Sequence, residues 1–464
     1  MEYVQMESSN PLGTEKISKL VLKFSIPAIV GMMVNALYNI VDRIYIGNSA
    51  DIGQNGLGGI TIAFPLMLVA LSIGVLFGIG GATLFSIKLG EKKQHEAEGI
   101  LGNAFVLLII TGLLFSIAGQ AFLKPLLTVL GASSVILPYA SEYMQIILLG
   151  AVFQITSLGI NNFMRADGNP RLAMLTMFMG AGTNIVLDPI FIYGFRMGMR
   201  GAAIATIISQ FISFVWVISY FIGKKSRNKL RIKNLKLKPS IVSKIVALGM
   251  PAFFLQFIGS ILTSVLNKSL VYYGGDLAVT GMGIINSLQT LMLMPLIGLN
   301  QGIQPIISYN FGANNIQRVK QAAILGTKVA TSIAVTGFLV IQIFPDLLIS
   351  MFNHDTDLLE FTRFALVTWM FCLPVLGIQI IGANFFQAIA KPGTAMFLML
   401  TRQVIFLIPA LIVFPLFWGT KGILFAAPFA DSLSAILTGI WFYFGLKNLG
   451  KLEASLPLDI PFQQ

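Results

Sequence analysis

The chain has 464 residues, of which 56% are hydrophobic and only 11% charged, and its mean hydropathy is +0.82. An ordinary soluble domain carries roughly 25% charged residues, so the composition excludes a water-soluble globular class and indicates an all-α polytopic membrane protein. One cysteine (Cys372), two histidines (His95 and His354) and no GxxxxGK[ST] loop leave no material for an internal disulfide, a His/Cys metal centre or a phosphate-loop ATPase. No enzyme activity and no cofactor are therefore expected.

The first ten residues, "MEYVQMESSN", are acidic and polar and do not read as a signal peptide. Uncharged runs then follow one another, and a spanning helix needs about 20 such residues. Their punctuation predicts twelve transmembrane helices at 21–47, 55–87, 100–123, 138–163, 171–195, 200–222, 242–272, 277–309, 319–345, 359–388, 393–418 and 421–446. Loops after even-numbered spans are basic: Lys92 and Lys93, Arg165 and Arg171, Arg318 and Lys320, and Lys391. Those after odd-numbered spans lean acidic, with Asp51, Asp276, Asp346, Asp355 and Asp357; Arg196, Arg200 and Lys421 are exceptions. The positive-inside rule then places both termini in the cytoplasm. The net charge of +12 concentrates in one connector, at Lys224, Lys225, Arg227, Lys229, Arg231, Lys233, Lys236 and Lys238. Between spans, such a run reads as a cytoplasmic loop facing anionic membrane lipid, not nucleic acid.

The two halves echo each other. "SIPA" at 25–28 matches "GMPA" at 249–252, and Gly90 of "KLGEKKQ" matches Gly312 of "NFGANNI". "DGNPRLAM" aligns Pro170 with Pro392 of "IAKPGTAM", and "GMRGAAIA" aligns Gly201 with Gly422 of "GTKGILFA". Four matches in order, offset by 221 to 224 positions, define two six-helix units: 1–222 and 242–464, joined by the basic linker 223–241. An even number of spans per unit makes them parallel repeats about an axis along the membrane normal. Two such bundles with a cleft between them are expected of a transporter working by alternating access; a channel more often arises from several subunits around a pore.

Away from the span ends, the charges that read as lying inside the membrane are Asp42, Asp188, Lys328, Arg402 and Asp431. An intramembrane acid costs about 2.5–3.5 kcal/mol on insertion scales and is by default a functional-site hypothesis. Spans 1 and 5 run outward and span 6 returns. Counting at 1.5 Å per residue puts Asp42, Asp188 and Thr206 at one level, roughly 8–9 Å inside the outer boundary. Asn184 shares the Asp188 face at i, i+4, and Pro189 leaves the Ile185 carbonyl without its helical donor. All these donors are oxygens, which suits a proton or a small hard cation such as sodium. A second reading of Asp42 stands beside this one, as a carboxylate paired with a basic residue or reaching interfacial water. Thr206 likewise has two readings, ligand or hydroxyl bonded to its own backbone. Asn35, Tyr38 and Tyr45 line the Asp42 face at helical steps. Arg402 and Asp431 are expected to form a structural ion pair, and Lys328 to snorkel towards the cytoplasm. Gln256, Asn286 and Gln289, with Asn300 and Gln304, are candidates for a cleft lining, and 20 methionines and 36 phenylalanines suit an adaptable apolar cleft.

From Lys16 to about Lys447 the sequence resembles the multidrug and toxic compound extrusion (MATE) family, in its DinF-like or MepA-like bacterial branch. The resemblance rests on "SIPAIVGMMVNALYNIVDRIYIG", the "RADGNPRLAM" loop, "NIVLDPIFIYGF", "GAAIATIISQ" and the 6+6 organisation. It implies a V-shaped pair of bundles in the bacterial inner membrane, a monomer, exporting cationic or amphipathic small molecules against inward H+ or Na+. The branch's ion-site residues fall on Asp42, Asn184, Asp188 and Thr206. Pro27 is expected to supply a bend in the first helix. The NorM-like branch adds an acid in its seventh helix, and "GMPAFFLQFIGSILTSVLNK" has none before Lys268. The alternative function is a lipid-linked precursor flippase of the same superfamily, for which fourteen helices and a cationic cleft would speak. A non-transporting receptor would not need paired intramembrane acids.

Overall fold

Long apolar runs with few internal breakers can satisfy their backbone in lipid only as helices, and helices are what the chain forms. A computed structural model describes residues 10–47, 49, 53–352 and 356–455. Asp51, His354, Asp355 and both chain ends lie outside them, as does the Asp276 side chain. Among the described residues, eleven helices are long and apolar enough to cross a membrane. They are α1 (Ile17–Gly47), α2 (Asn55–Gly90), α3 (Gln94–Ala121), α4 (Leu137–Ala166), α5 (Pro170–Gly194), α6 (Gly198–Ile222), α7 (Pro239–Gly275), α8 (Leu277–Gly312), α9 (Ile316–Ile343) and α10 (Thr356–Ala388), then Pro392–Gly450. The last has 59 residues, enough for two spans, and breaks at Gly419, whose φ is +55°. It therefore supplies α11 (392–418) and α12 (420–450), and the count of twelve passes holds.

The repeat is legible in the backbone. Left-handed residues close α2, α4, α8 and α10 at Lys92, Gly168, Asn314 and Ala390. Lys92 and Asn314, and likewise Gly168 and Ala390, stand 222 positions apart. Gly198 and Gly419 form a third such pair at 221.

The halves exchange their first helices at the basic-loop face. Leu20, Val21 and Phe24 of α1 are buried in the core of the C-terminal half, and Ile245 and Leu248 of α7 in that of the N-terminal half. Closest approach is at paired glycines. A Cβ on Gly90 would be driven into the Tyr309 carbonyl oxygen and to 2.7 Å from the Ala313 nitrogen. Its repeat mate Gly312 meets the Ile87 carbonyl in the same way, with the carbonyl carbon at 2.8 Å. Gly80 against Gly249 (2.7 Å to its nitrogen) and Gly302 against Ser25 (2.7 Å to its Cα) form a second symmetric pair. Small residues let backbones touch without lipid or side chains between them. A cavity of about 10 Å³ lies there, with Thr83, Ser86, Arg165, Gln301, Gln304 and Ser308 among its lining residues. That is room for about one water. Gln304 donates to Thr83 across the same seam at 3.1 Å.

The basic linker is pinned to the N-terminal half. Its Ser226 and Asn228 are buried and donate to Asp167 at 2.7 and 2.5 Å, and Tyr220 adds a third bond at 2.5 Å. Burial pushes the Asp167 carboxyl above the usual carboxylate range, and these bonds oppose the shift. Glu98 of α3 accepts from the Lys229 amide and pairs with Arg231 at 3.4 Å. The lysine and arginine side chains of the run are largely exposed, while Ser226, Asn228 and the linker backbone, held by Gln94, Glu98 and Asn103, do the docking.

Candidate cation site

α1 stays helical through Pro27 and carries Asp42 into the N-terminal half, where it is 8% exposed. From α5, Asn184 and Asp188 project from one face, one turn apart, and are 1% and 0% exposed. Pro189 has no N–H to continue the α-helical ladder, and five residues of π-helix, Ile190–Gly194, follow it directly. The Phe195 amide closes that turn on the Ile190 carbonyl at 2.9 Å. Single π-turns recur at functional sites.

The four residues singled out by depth come together. The Asn184 amide donates to Asp188 Oδ1 at 3.2 Å and to Thr206 Oγ1 at 3.4 Å. The carboxyl groups of Asp188 and Asp42 lie within hydrogen-bonding reach of each other. The Thr206 hydroxyl bonds its own backbone, donating to the Ala202 carbonyl at 3.0 Å, and also accepts from Asn184. Asp188 forms no ion pair among the described residues. Two buried acceptors, Asn184 Oδ1 and Asp188 Oδ2, receive no hydrogen bond there. Such orphans ordinarily require an explanation.

Sequence reasoning missed Tyr143 of α4. It is 2% exposed, its hydroxyl lies within reach of Thr206, and it lies close enough to Asp42 and Asp188 to feel their charge. Tyr143 stands six residues after Leu137, so the depth count that linked the other residues finds it as well, at about 9 Å. Tyr38 also sits beside both carboxyl groups. One turn beyond Asp42, Tyr45 packs edge-on against Tyr193 at 6.2 Å, and the Tyr193 hydroxyl donates to the Tyr45 carbonyl at 2.6 Å. That contact ties α1 to α5 between the site and the ends of both helices.

The cleft candidates divide. Asn35 and Asn286 are exposed, and Gln256 is half-buried. Gln289 is engaged within its own half, accepting from Trp369 Nε1 at 3.4 Å. Asp431 is 3% exposed and accepts from Arg402 Nε, which makes the expected ion pair. Arg402 lies in a second π-turn, Thr401–Leu407.

Two six-helix halves in parallel repeat, closed on one face and holding a buried carboxylate pair inside one half, make a two-bundle membrane transporter. The MatE family profile matches residues 27–190 and 251–412, together more than half of the sequence. The multidrug export protein MepA of Staphylococcus aureus (strain MSSA476) is 29% identical over 422 residues, covering 90% of this chain and 92% of the relative. MepA of Staphylococcus haemolyticus (strain JCSC1435) is 27% identical over 432 residues, covering 93% and 94%. A solved structure described as the outward-facing conformation of a multidrug resistance MATE family transporter of the MOP superfamily superposes with TM-score 0.90. It is 23% identical and covers 96% of this chain and 99% of its own. The chain belongs to the MATE family, and its relatives are MepA-like.

Proposed function

We propose that the protein is a multidrug exporter that antiports cationic or amphipathic organic compounds outward against an inward proton or sodium ion. The observation that carries this reading is the meeting of Asp42 and Asp188 beside two orphaned acceptor oxygens. Two carboxylates this close and this far from water require a positive charge between them. A proton shared across the carboxyl–carboxyl contact meets that need most directly. Sodium is the second reading, supported by an oxygen-only donor set completed by Asn184 Oδ1. Multidrug export by the MepA relatives supports the substrate class.

In the proposed cycle the basic-loop face is cytoplasmic and is sealed by the glycine pairs, so the described state opens outward. The lobes 1–222 and 242–464 rock about this seam, with 223–241 as their connector. An external cation reaches Asp42 and Asp188, α1 bends at Pro27, and substrate leaves before the lobes reverse. One positive charge moving inward gains about 2.3 kcal/mol per 100 mV, roughly 50-fold in the gradient of a neutral substrate, whereas one-for-one exchange with a monovalent cation is electroneutral and draws on the ion's concentration gradient alone. The work is transport and needs no covalent chemistry and no second subunit.

Ethidium accumulation in cells, with and without ionophores that collapse the proton or sodium gradient, tests the reading. The wild type is expected to lower dye only while one gradient stands. Asp42→Asn and Asp188→Asn are expected to lose that effect while remaining in the membrane. Full efflux by both variants overturns the ion-site assignment, and gradient-independent movement of a lipid-linked precursor would favour a flippase.

A further inference from the structure

A second feature lies on the opposite side of the molecule from the carboxylates. A pocket of about 560 Å³ opens between the start of α1 and the first turns of α9. It is lined by Lys16, Ile17 and Ser18 on one wall and by Arg318, Gln321, Ile324, Leu325 and Lys328 on the other. Three lining residues are cationic and none is acidic. Glu15, the nearest carboxylate in sequence, is engaged elsewhere, by Lys23 at 2.8 Å and Lys19 at 3.9 Å. Arg318 braces the pocket wall, donating to the Leu12 and Glu15 carbonyls at 3.1 and 2.7 Å and to Asn310 at 2.9 Å. Lys16 and Lys328 are exposed and, among the described residues, form no ion pair. Two of the three positive charges are thus uncommitted.

The surroundings say what kind of anion fits. Lys328 stands twelve residues beyond the start of α9, about 18 Å along the helix, and so lies well inside an apolar span. A lysine there must reach back towards the headgroup level, and the pocket provides the place to which it reaches. The wall of α1 continues from Ser18 along Leu22 and Ile26 at successive i+4 steps, 60% and 54% exposed. Ile324 on the facing helix is 43% exposed. An exposed apolar track running inward from a cationic pocket is the shape of a phospholipid, with headgroup below and acyl chain above. A soluble phosphate would use the lysines and leave the track empty.

We infer that this pocket is a headgroup site for an anionic phospholipid of the cytoplasmic leaflet, in which Lys16 and Lys328 hold the phosphate and Leu22, Ile26 and Ile324 hold an acyl chain. Such a lipid would bridge α1, the helix that carries Asp42, to α9 of the other half. The proposal is independent of which ion drives transport.

The test is native mass spectrometry of the delipidated full-length protein in mixed micelles, titrated with phosphatidylglycerol, phosphatidylcholine or inorganic phosphate. Wild type is expected to retain phosphatidylglycerol over phosphatidylcholine. The Lys16→Gln/Lys328→Gln double variant is expected to bind phosphatidylglycerol about thirty-fold more weakly, the effect of two lysine ammonium groups held at the headgroup level of an anionic lipid. Lys224→Gln/Lys233→Gln, which changes two linker charges outside the pocket, is expected to bind as wild type. Equal melting temperatures in phosphatidylcholine micelles check that the variants are folded. Equal phosphatidylglycerol affinity in the pocket variant and the wild type overturns the site. Displacement of the lipid by millimolar inorganic phosphate overturns the lipid assignment in favour of a soluble anion.

Discussion

Gly312→Val is the most direct perturbation of the closed basic face. The Cβ alone would sit 2.8 Å from the Ile87 carbonyl carbon and nearer still to its oxygen, inside the 3.0 Å that real Cβ atoms essentially never breach. The obstacle is backbone on a partner helix, so no side-chain rotation relieves it, and α2 and α8 must separate. Overpacking of this kind costs about 1–3 kcal/mol. Charged only to the state in which the face is closed, that shifts the two-state equilibrium about 5- to 150-fold towards the open one. Gly90→Val should do the same through the Tyr309 carbonyl. The assay exploits the single cysteine: in a Cys372→Ser background, Ser308→Cys places a thiol in the water-sized cavity of the seam. Maleimide labelling in inside-out vesicles should be slow in the glycine parent and at least fivefold faster with Gly312→Val. Unchanged labelling with both valine variants would show that the seam is not the gate.

Three further perturbations follow from named contacts. Arg402→Ala leaves Asp431 buried without its cation and should cost about 3–5 kcal/mol of stability in detergent, whereas Arg402→Met with Asp431→Leu should recover most of it; an equally unstable double variant would contradict the structural role. Thr206→Val removes the acceptor for the Asn184 amide and, at about 1 kcal/mol for one hydrogen bond, should weaken apparent affinity for the driving ion about fivefold with maximal transport rate retained. Loss of rate with unchanged ion affinity would assign Thr206 to packing instead. Asp167→Ala strips the acceptor from Tyr220, Ser226 and Asn228 at a cost of about 2–3 kcal/mol, so trypsin should nick the linker at least tenfold faster in the variant. Equal nicking would mean that the linker's contacts with Gln94, Glu98 and Asn103 hold it without Asp167.

Span positions were legible because helix length in lipid is fixed by hydrocarbon thickness, and the apolar runs end within a few residues of the observed helices. The repeat was legible as short matches, and it reappears in the left-handed turns at Lys92 and Asn314. Counting residues from the outer helix ends brought Asp42, Asn184, Asp188 and Thr206 to one level. It failed to bring in Tyr143 only because an aromatic inside an apolar run carries no signal of its own. The π-turns at Ile190–Gly194 and Thr401–Leu407 are changes of hydrogen-bond register, which composition does not encode beyond Pro189. The seam was hidden for a related reason. With 45 glycines in the sequence, only their placement across two helices shows which of them touch backbone. The bond from Trp369 to Gln289 was hidden because the two stand 80 positions apart.

The central claim is that Asp42 and Asp188 couple the driving ion to drug movement. Purified protein in proteoliposomes, with a pH gradient or a sodium gradient imposed one at a time and ethidium flux recorded, tests it most directly. The account expects one gradient to drive flux in the wild type, and expects Asp188→Asn to exchange ethidium down its own gradient yet give no ion-driven accumulation. Ion-driven accumulation by Asp42→Asn and Asp188→Asn at the wild-type rate would contradict it.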